Sequence, residues 1–565
     1  MSTAGPVLLV LTLALPLALA LLALVPFART ILLRTLPFAA LPGLGAALIT
    51  PRDEIVRFPD LLLGVGLSIN QLDAVFLGFS SLIWALAGVY ACRYIAASKK
   101  AAVFAGFWLL TLAGNLGVFI AVDIITFYIA FSFLSLAAFA LVIHDGTPFA
   151  HRAGRVYIAL AVFGEVCILL AFMIGAAASG SLLIDDASAG LASSPWSMIG
   201  WLLLIVGFGL KAGLVPLHVW LPLAHPAAPT PASAVLSGAI VTAGTFGMMS
   251  FLAPGADVVP WRDALTIAGL GTTYFGIAVG LTQRNPKTIL AYSTLSQMGL
   301  VVAVIAVGLD GSATHGAHAA ATLYATQHGL AKGALFLGVG VIAASGGPAR
   351  RIFMIPMAMM ALSIAGFPLT GGALGKLAIK EPLGVGMVPL LAGLSAIGTT
   401  LVMLRFLIET NRIVSSPSRL ADRALVAPWV AMMIAAVIIP WALFPDLAGR
   451  PLPHVWAPGN VWNAFWPIAL GSGIMFAALR FLHRAAPEVP EGDFVVIGEA
   501  IATVSVQTFS RWHWPPLVAI RASFSLAAEW LAGRFDDIDG TLNRWPVAGS
   551  LLIAIAMLIG VAIAG

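Results

Sequence analysis

The chain has 565 residues, of which 9% are Asp, Glu, Lys or Arg and 60% are hydrophobic, against about 25% charged in an ordinary soluble domain. So few charges cannot clothe a water-facing surface of this size, and so apolar a chain does not stay disordered; a soluble globule and an unstructured chain are both excluded. The formal net charge of +5 is too dilute over this length to suggest nucleic-acid binding, and loop cations can orient a membrane protein instead.

A membrane-crossing helix needs about 20 mainly apolar residues, and windows of that length predict roughly 16 spans. They fall near 6–27, 31–49, 73–95, 101–121, 123–143, 155–179, 197–222, 230–253, 263–283, 287–309, 316–345, 353–380, 386–409, 427–446, 461–482 and 546–564. The windows 31–49 and 123–143 carry Pro or Asp at their ends. The first window does not read as a signal peptide, because Arg29 and Arg34 follow it and no basic stretch precedes it. Cys92 and Cys167 both lie in apolar stretches and offer no disulfide framework, iron–sulfur set or zinc set.

Connections after odd-numbered spans hold Arg29, Arg34, Lys99, Lys100, Arg152, Arg155, Arg284, Arg350, Arg351, Arg412, Arg419, Arg423 and Arg484; those after even-numbered spans hold mainly Arg52, Arg57, Arg262 and Arg450. The richer set marks the cytoplasmic side, which puts the N-terminus on the other side. From about Pro487 to Arg544 charges mix with Trp512, Trp514, Trp530 and Trp545. That mixture predicts either interfacial amphipathic helices, broken at Pro515 and Pro516, or a cytoplasmic segment packing locally.

Ionisable residues inside a span are costly and by default mark a pathway. Glu165 falls mid-span. Lys211 also does, with His218 seven residues on and so on the same face of a continuous helix. His328 and Lys332 are four apart, as are Lys376 and Lys380. Burial destabilises the charged form of a lysine, which suits it to reversible proton transfer. The alternative is that each lysine snorkels or pairs statically. Pro216, Pro222, Pro226, Pro229 and Pro231 interrupt one span, and Gly366, Pro368, Gly371 and Gly372 another. Paired interruptions of this kind point to inverted repeats with ion sites at the breaks.

The stretches GFGLKAGLVPLHVWLPLAHPAAPTPASAVLSG (207–238), KTILAYSTLSQMG (287–299), QHGLAKGALFLGVGVI (327–342) and AGFPLTGGALGK (365–376) resemble, in order, the signatures of antiporter-like membrane subunits. Such subunits occur in respiratory complex I, Mrp-type cation/proton antiporters and membrane-bound hydrogenases. With the region of Asp73 and Tyr94 the resemblance covers roughly residues 65–410. It implies an all-α polytopic membrane protein with two inverted five-helix repeats, each containing a broken helix. The implied organisation is N-terminal helices at 1–100, a first repeat at 101–253, a second at 263–409, C-terminal helices at 410–482, an amphipathic segment at 483–545 and a last helix at 546–565.

The resemblance further implies a proton relay through Lys211, Lys332 with His328, and Lys376; His218 and Lys380 are added from their positions. The sequence departs from the family pattern at four places. Aligning FYIAFSFLSLAAF (127–139) puts Ser132 where the family has the glutamate that partners the first central lysine. Thr242 stands for a connecting lysine, Leu223 for the Asp of WLPDA, and Tyr324 for a histidine. Glu165 is then the candidate replacement partner for Lys211; the rival reading is a degenerate first half-channel.

The expected function is a proton-translocating or cation/proton-exchanging subunit of a multi-subunit complex in a bacterial inner membrane. Its expected partners are other membrane subunits of hydrogenase-like or Mrp-like type. An alternative is a membrane subunit energising inorganic carbon accumulation with a soluble zinc-protein partner. A third reading, a structural subunit that no longer conducts, sits poorly with the retained intramembrane charges. No redox site, hydrolytic site, cofactor site or metal ligand set is legible in this chain.

Overall fold

The computed structural model describes residues 4–25, 29–252, 259–311, 314–413, 420–481, 489–494 and 496. The expected last span at 546–564 and most of the 487–544 segment lie outside the described residues. The described residues up to 57 and from 65 to 492 form one unit, and residues 58–64 with 493, 494 and 496 belong to a second. In the second unit Leu62 and Leu63 are exposed.

The elements follow in chain order. They begin with α1 (Ala4–Leu22), α2 (Arg29–Ala39), α3 (Leu41–Ile49) and a short sheet of β1 (Val56–Phe58) and β2 (Val65–Leu67). Next are α4 (Gln71–Tyr94), α5 (Ala101–Val118), α6 (Ile124–Val142), α7 (Pro148–Ser179), the short α8 (Ile184–Ser193) and the pair α9 (Ser197–Ala212) and α10 (Trp220–Ala227). Then α11 (Thr230–Val235) runs through a π-helical turn at Leu236–Ile240 into α12 (Thr242–Phe251). The second half holds α13 (Val259–Thr282), α14 (Pro286–Val307), α15 (Thr314–Ala343), the pair α16 (Gly347–Ala365) and α17 (Gly371–Leu383), and α18 (Met387–Asn411). Finally come α19 (Arg423–Ala448) and α20 (Pro458–Phe481).

Among the described residues twelve helices are long and apolar enough to cross a membrane, against the roughly 16 spans expected. Part of the difference is physical. The window at 197–222 is two short helices, α9 and α10, and the window at 353–380 is α16 and α17. Both breaks use a glycine in the left-handed region, Gly213 (φ 83) and Gly366 (φ 95), where a side chain would be strained. The amide after each glycine folds back: Leu214 N–H donates to the Gly209 carbonyl at 2.8 Å and Phe367 N–H to the Leu362 carbonyl at 3.0 Å. The break at Gly213 also corrects an expectation. Lys211 and His218 do not share a helical face, because His218 lies beyond the end of α9.

Several termini follow directly from sequence. Asn70 and Asp73 form a reciprocal capping box on α4. Asp123, which had made the 123–143 window ambiguous, caps α6: its carboxylate accepts from Thr126 N–H at 2.7 Å and from Gly66 N–H at 2.9 Å. Lipid is as apolar as a leucine side chain, so close backbone approach rather than water exclusion holds such helices together. Gly238 and Gly329 show it: a Cβ built on either would meet the other's carbonyl oxygen at 2.7 or 2.4 Å, which draws the π-turn against α15.

Chain direction fixes the ends of the bundle. Arg405 Nε donates to the Gln283 carbonyl at 3.1 Å, joining the end of α13 to that of α18. Arg350, at the start of α16, donates to the Thr410 carbonyl at 2.8 Å. Lys287, Arg350, Arg405 and Arg412 therefore share one end. Helix α17 runs away from it to the other end, where Glu381 pairs with Arg450 at 3.0 Å.

Candidate functional site

The first-half site is built where α6, α7 and α9 meet. Lys211 lies in the last turn of α9 and is 3% exposed. Its Nζ donates to Ser135 Oγ at 2.8 Å and to the Tyr157 hydroxyl at 3.4 Å. It also stands 5.6 Å from the Phe131 ring centroid, within cation–π range. Glu165, 5% exposed on α7, accepts from Ser132 Oγ at 3.1 Å through Oε2. Two serines of α6, one turn apart, thus stand between a carboxylate and an ammonium. Where the family pattern places a glutamate, Ser132 bonds a glutamate brought from the neighbouring helix. A small cavity lined by Ser135, Tyr157, Gly164 and Lys211 lies beside the ammonium.

The second-half site lies on α14, α15 and α17. Lys332 and His328 are fully buried one turn apart on α15. Lys332 Nζ donates to the Leu290 carbonyl at 2.9 Å. Among the described residues neither ring nitrogen of His328 has a hydrogen-bond partner, nor does the Gln327 amide. Toward the other end Tyr324 donates to Gln297 Oε1 at 2.6 Å, and Gln297 donates to Thr399 at 3.2 Å. Tyr324 and Gln327 press on Gly375, where a Cβ would lie 3.2 Å from each. The next residue, Lys376, donates to the Ala365 carbonyl at the end of α16. Lys376 lines a cavity of about 270 Å³ together with Lys380, Asn460, Asn463 and Trp466.

The remaining predicted positions divide. Lys380 shares that cavity and is itself exposed. His218 is buried with its ring edge-on to Phe275 at 5.0 Å. Thr242 Oγ1 donates to the Ala239 carbonyl of its own helical run at 2.8 Å. Leu223 packs against the backbone of Gly492.

Four groups escaped the sequence reading. Ser135 and Tyr157 are neutral and carry no hydropathy signal. Lys287 and His225 stood inside quoted signatures without being singled out. Lys287 Nζ donates to the Ala228 carbonyl at 2.8 Å. His225 is fully buried, has no hydrogen-bond partner for either ring nitrogen among the described residues, and lies within electrostatic reach of Lys287 and Lys332.

Residues 121–403, half of the chain, match the family described as NADH:quinone oxidoreductase/Mrp antiporter, TM. The chain belongs to that family. It is 31% identical over 315 residues to hydrogenase-4 component B of Escherichia coli, covering 53% of this chain and 46% of that one. It is 32% identical over 359 residues to the putative antiporter subunit mnhA2 of Staphylococcus saprophyticus, covering 57% and 44%. The chain thus spans about half the length of the curated relatives it matches. Its fold resembles a chain of the Mrp complex from Dietzia sp. DQ12-45-1b, with a TM-score of 0.71 and 24% identity, covering 93% of this chain and 63% of that one. The antiporter-like fold with its broken helices is therefore as the signatures implied. None of these names concerns inorganic carbon, so that alternative gains no support.

Proposed function

We propose that this family member is a proton-translocating, or cation/proton-exchanging, membrane subunit of a multi-subunit complex, with Glu165, Lys211, Lys332, His328 and Lys376 as its relay. The observation that carries the reading is Lys332. It is fully buried among apolar helices, and its hydrogen-bond partner among the described residues is a neutral backbone carbonyl. A permanent charge held there would be costly, whereas a group that takes up and gives back a proton pays only while charged. His328 one turn away, the Tyr324–Gln327 contact with Gly375 and the cavity at Lys376 continue the polar line toward the Glu381–Arg450 end. In the first half, Glu165 offers Lys211 the counter-charge that Ser132 lacks.

The Arg-rich end that holds Lys287 is the cytoplasmic one by the loop-cation rule. The N-terminus then lies on the opposite side, and the cavity at Lys376 and Lys380 opens away from the cytoplasm. The hydrogenase-4 and Mrp-type relatives suggest partner subunits of the same kinds.

The test is proton flux through the reconstituted native complex, followed with a pH-sensitive dye, with Lys211 and Lys332 each changed to Ala. Flux falling in both variants is the expected result. Unchanged flux in both would overturn the relay.

A further inference from the structure

One carboxylate at the Lys287 end is used by nothing described so far. Residues 489–492 return to the bundle after α20. Gln283 Nε2 donates to the Val489 carbonyl at 2.9 Å, and Val489 N–H donates to Thr282 Oγ1 at 3.4 Å. Gly492 sits so close to Leu223 that a Cβ on it would lie 3.1 Å from that side chain. Between these anchors Glu491 Oε1 accepts from Thr288 Oγ1 at 2.8 Å.

Thr288 is fully buried in the first turn of α14. Two residues further along the same helix, about 3 Å along its axis, the Leu290 carbonyl holds Lys332. Lys287 adjoins Thr288 and reaches the Ala228 carbonyl, with Asp145 in electrostatic range. His225, buried with no hydrogen-bond partner for either ring nitrogen among the described residues, lies within electrostatic range of Lys287 and Lys332. Arg405 and Glu409 pair with each other at 2.9 Å nearby, Arg405 also holding the Gln283 carbonyl. Glu491 therefore stands at the mouth of a buried basic cluster that ends on the central lysine of the second half.

We infer that Glu491 is the proton-admitting carboxylate of the second half, passing protons inward to the cluster of Lys287, His225 and Lys332. The inference rests on the proton-translocating reading above. In each cycle the carboxylate takes a proton from the aqueous side and releases it to a neutral base within the cluster. Atoms and charge balance without any co-reactant. A static clasp is the competing role, and Glu491→Gln separates the two, since a glutamine oxygen still accepts from Thr288 but carries no exchangeable acid.

The experiment is dye-reported proton flux in the reconstituted native complex, with assembly checked by co-purification. Glu491→Gln is expected to assemble normally and lose flux about tenfold or more, as removal of a proton-transfer group does. Adding Leu223→Asp to Glu491→Gln returns a carboxylate to the space beside Gly492 and is expected to recover most of the loss. Glu491→Gln conducting like the parent overturns the inference, as does Glu491→Gln losing flux with no recovery from Leu223→Asp. Lys332→Ala, run in parallel, keeps the two readings apart: parental flux in that variant brings down the proposed function itself.

Discussion

The two halves of the bundle hold their central lysines in opposite ways. Lys211 is surrounded by side chains: Ser135, Tyr157 and the Phe131 ring touch it, and Glu165 waits behind Ser132. Lys332 is held by backbone, through the Leu290 carbonyl, with a histidine one turn away that has no hydrogen-bond partner among the described residues. A counter-ion stabilises charge, and the first site sets a carboxylate one serine away from its lysine, whereas the second sets a backbone carbonyl on its own. The inverted repeats share a fold and their glycine breaks; what differs is which neighbour supplies the compensation.

The sharpest way to break this comparison is Lys332→Ala, expected to lower proton flux about a hundredfold or more, the lower end of the range for a lost acid–base group. Flux within a factor of two of the parent would mean that the second half does not conduct through α15. Lys376→Ala comes next, with a loss of about tenfold, since the group adjoins the Gly375 contact with α15 and lines the cavity; unaltered flux would move the outlet elsewhere. For Tyr324→Phe the expected loss is about threefold, the size of one lost neutral hydrogen bond near Gln297, checked in the same assay. Thr242→Val is expected to change flux by less than about twofold, because its hydroxyl is spent on the Ala239 carbonyl. A large loss there would restore a connecting role to that position.

Much of this architecture is legible in the chain itself. Apolar windows gave the helices, and glycine and proline clusters gave both breaks, since each residue type acts on its own backbone. The pairing of Lys211 with His218 failed for the same reason: a seven-residue spacing means a shared face only in an unbroken helix, and Gly213 breaks it. Glu165 stood out because a carboxylate deep in a span is rare. Its contact with Ser132 is tertiary, set by how α6 and α7 pack, and no local pattern encodes that. His225 and Lys287 went unremarked because one lies in a short proline-containing helix and the other near a span end, where ionisable residues ordinarily signal little. Glu491 was read as part of a polar segment, and only the fold returns it to α14.

The claim that most needs a direct trial is that α7 supplies the carboxylate which α6 lacks. The measurement is proton flux in the reconstituted native complex for Glu165→Gln and for Glu165→Gln combined with Ser132→Glu. The account predicts a loss of about tenfold or more in the single variant and recovery to near-parental flux in the double one, because the glutamate returns to a position one turn from Ser135. Parental flux in Glu165→Gln alone would contradict it.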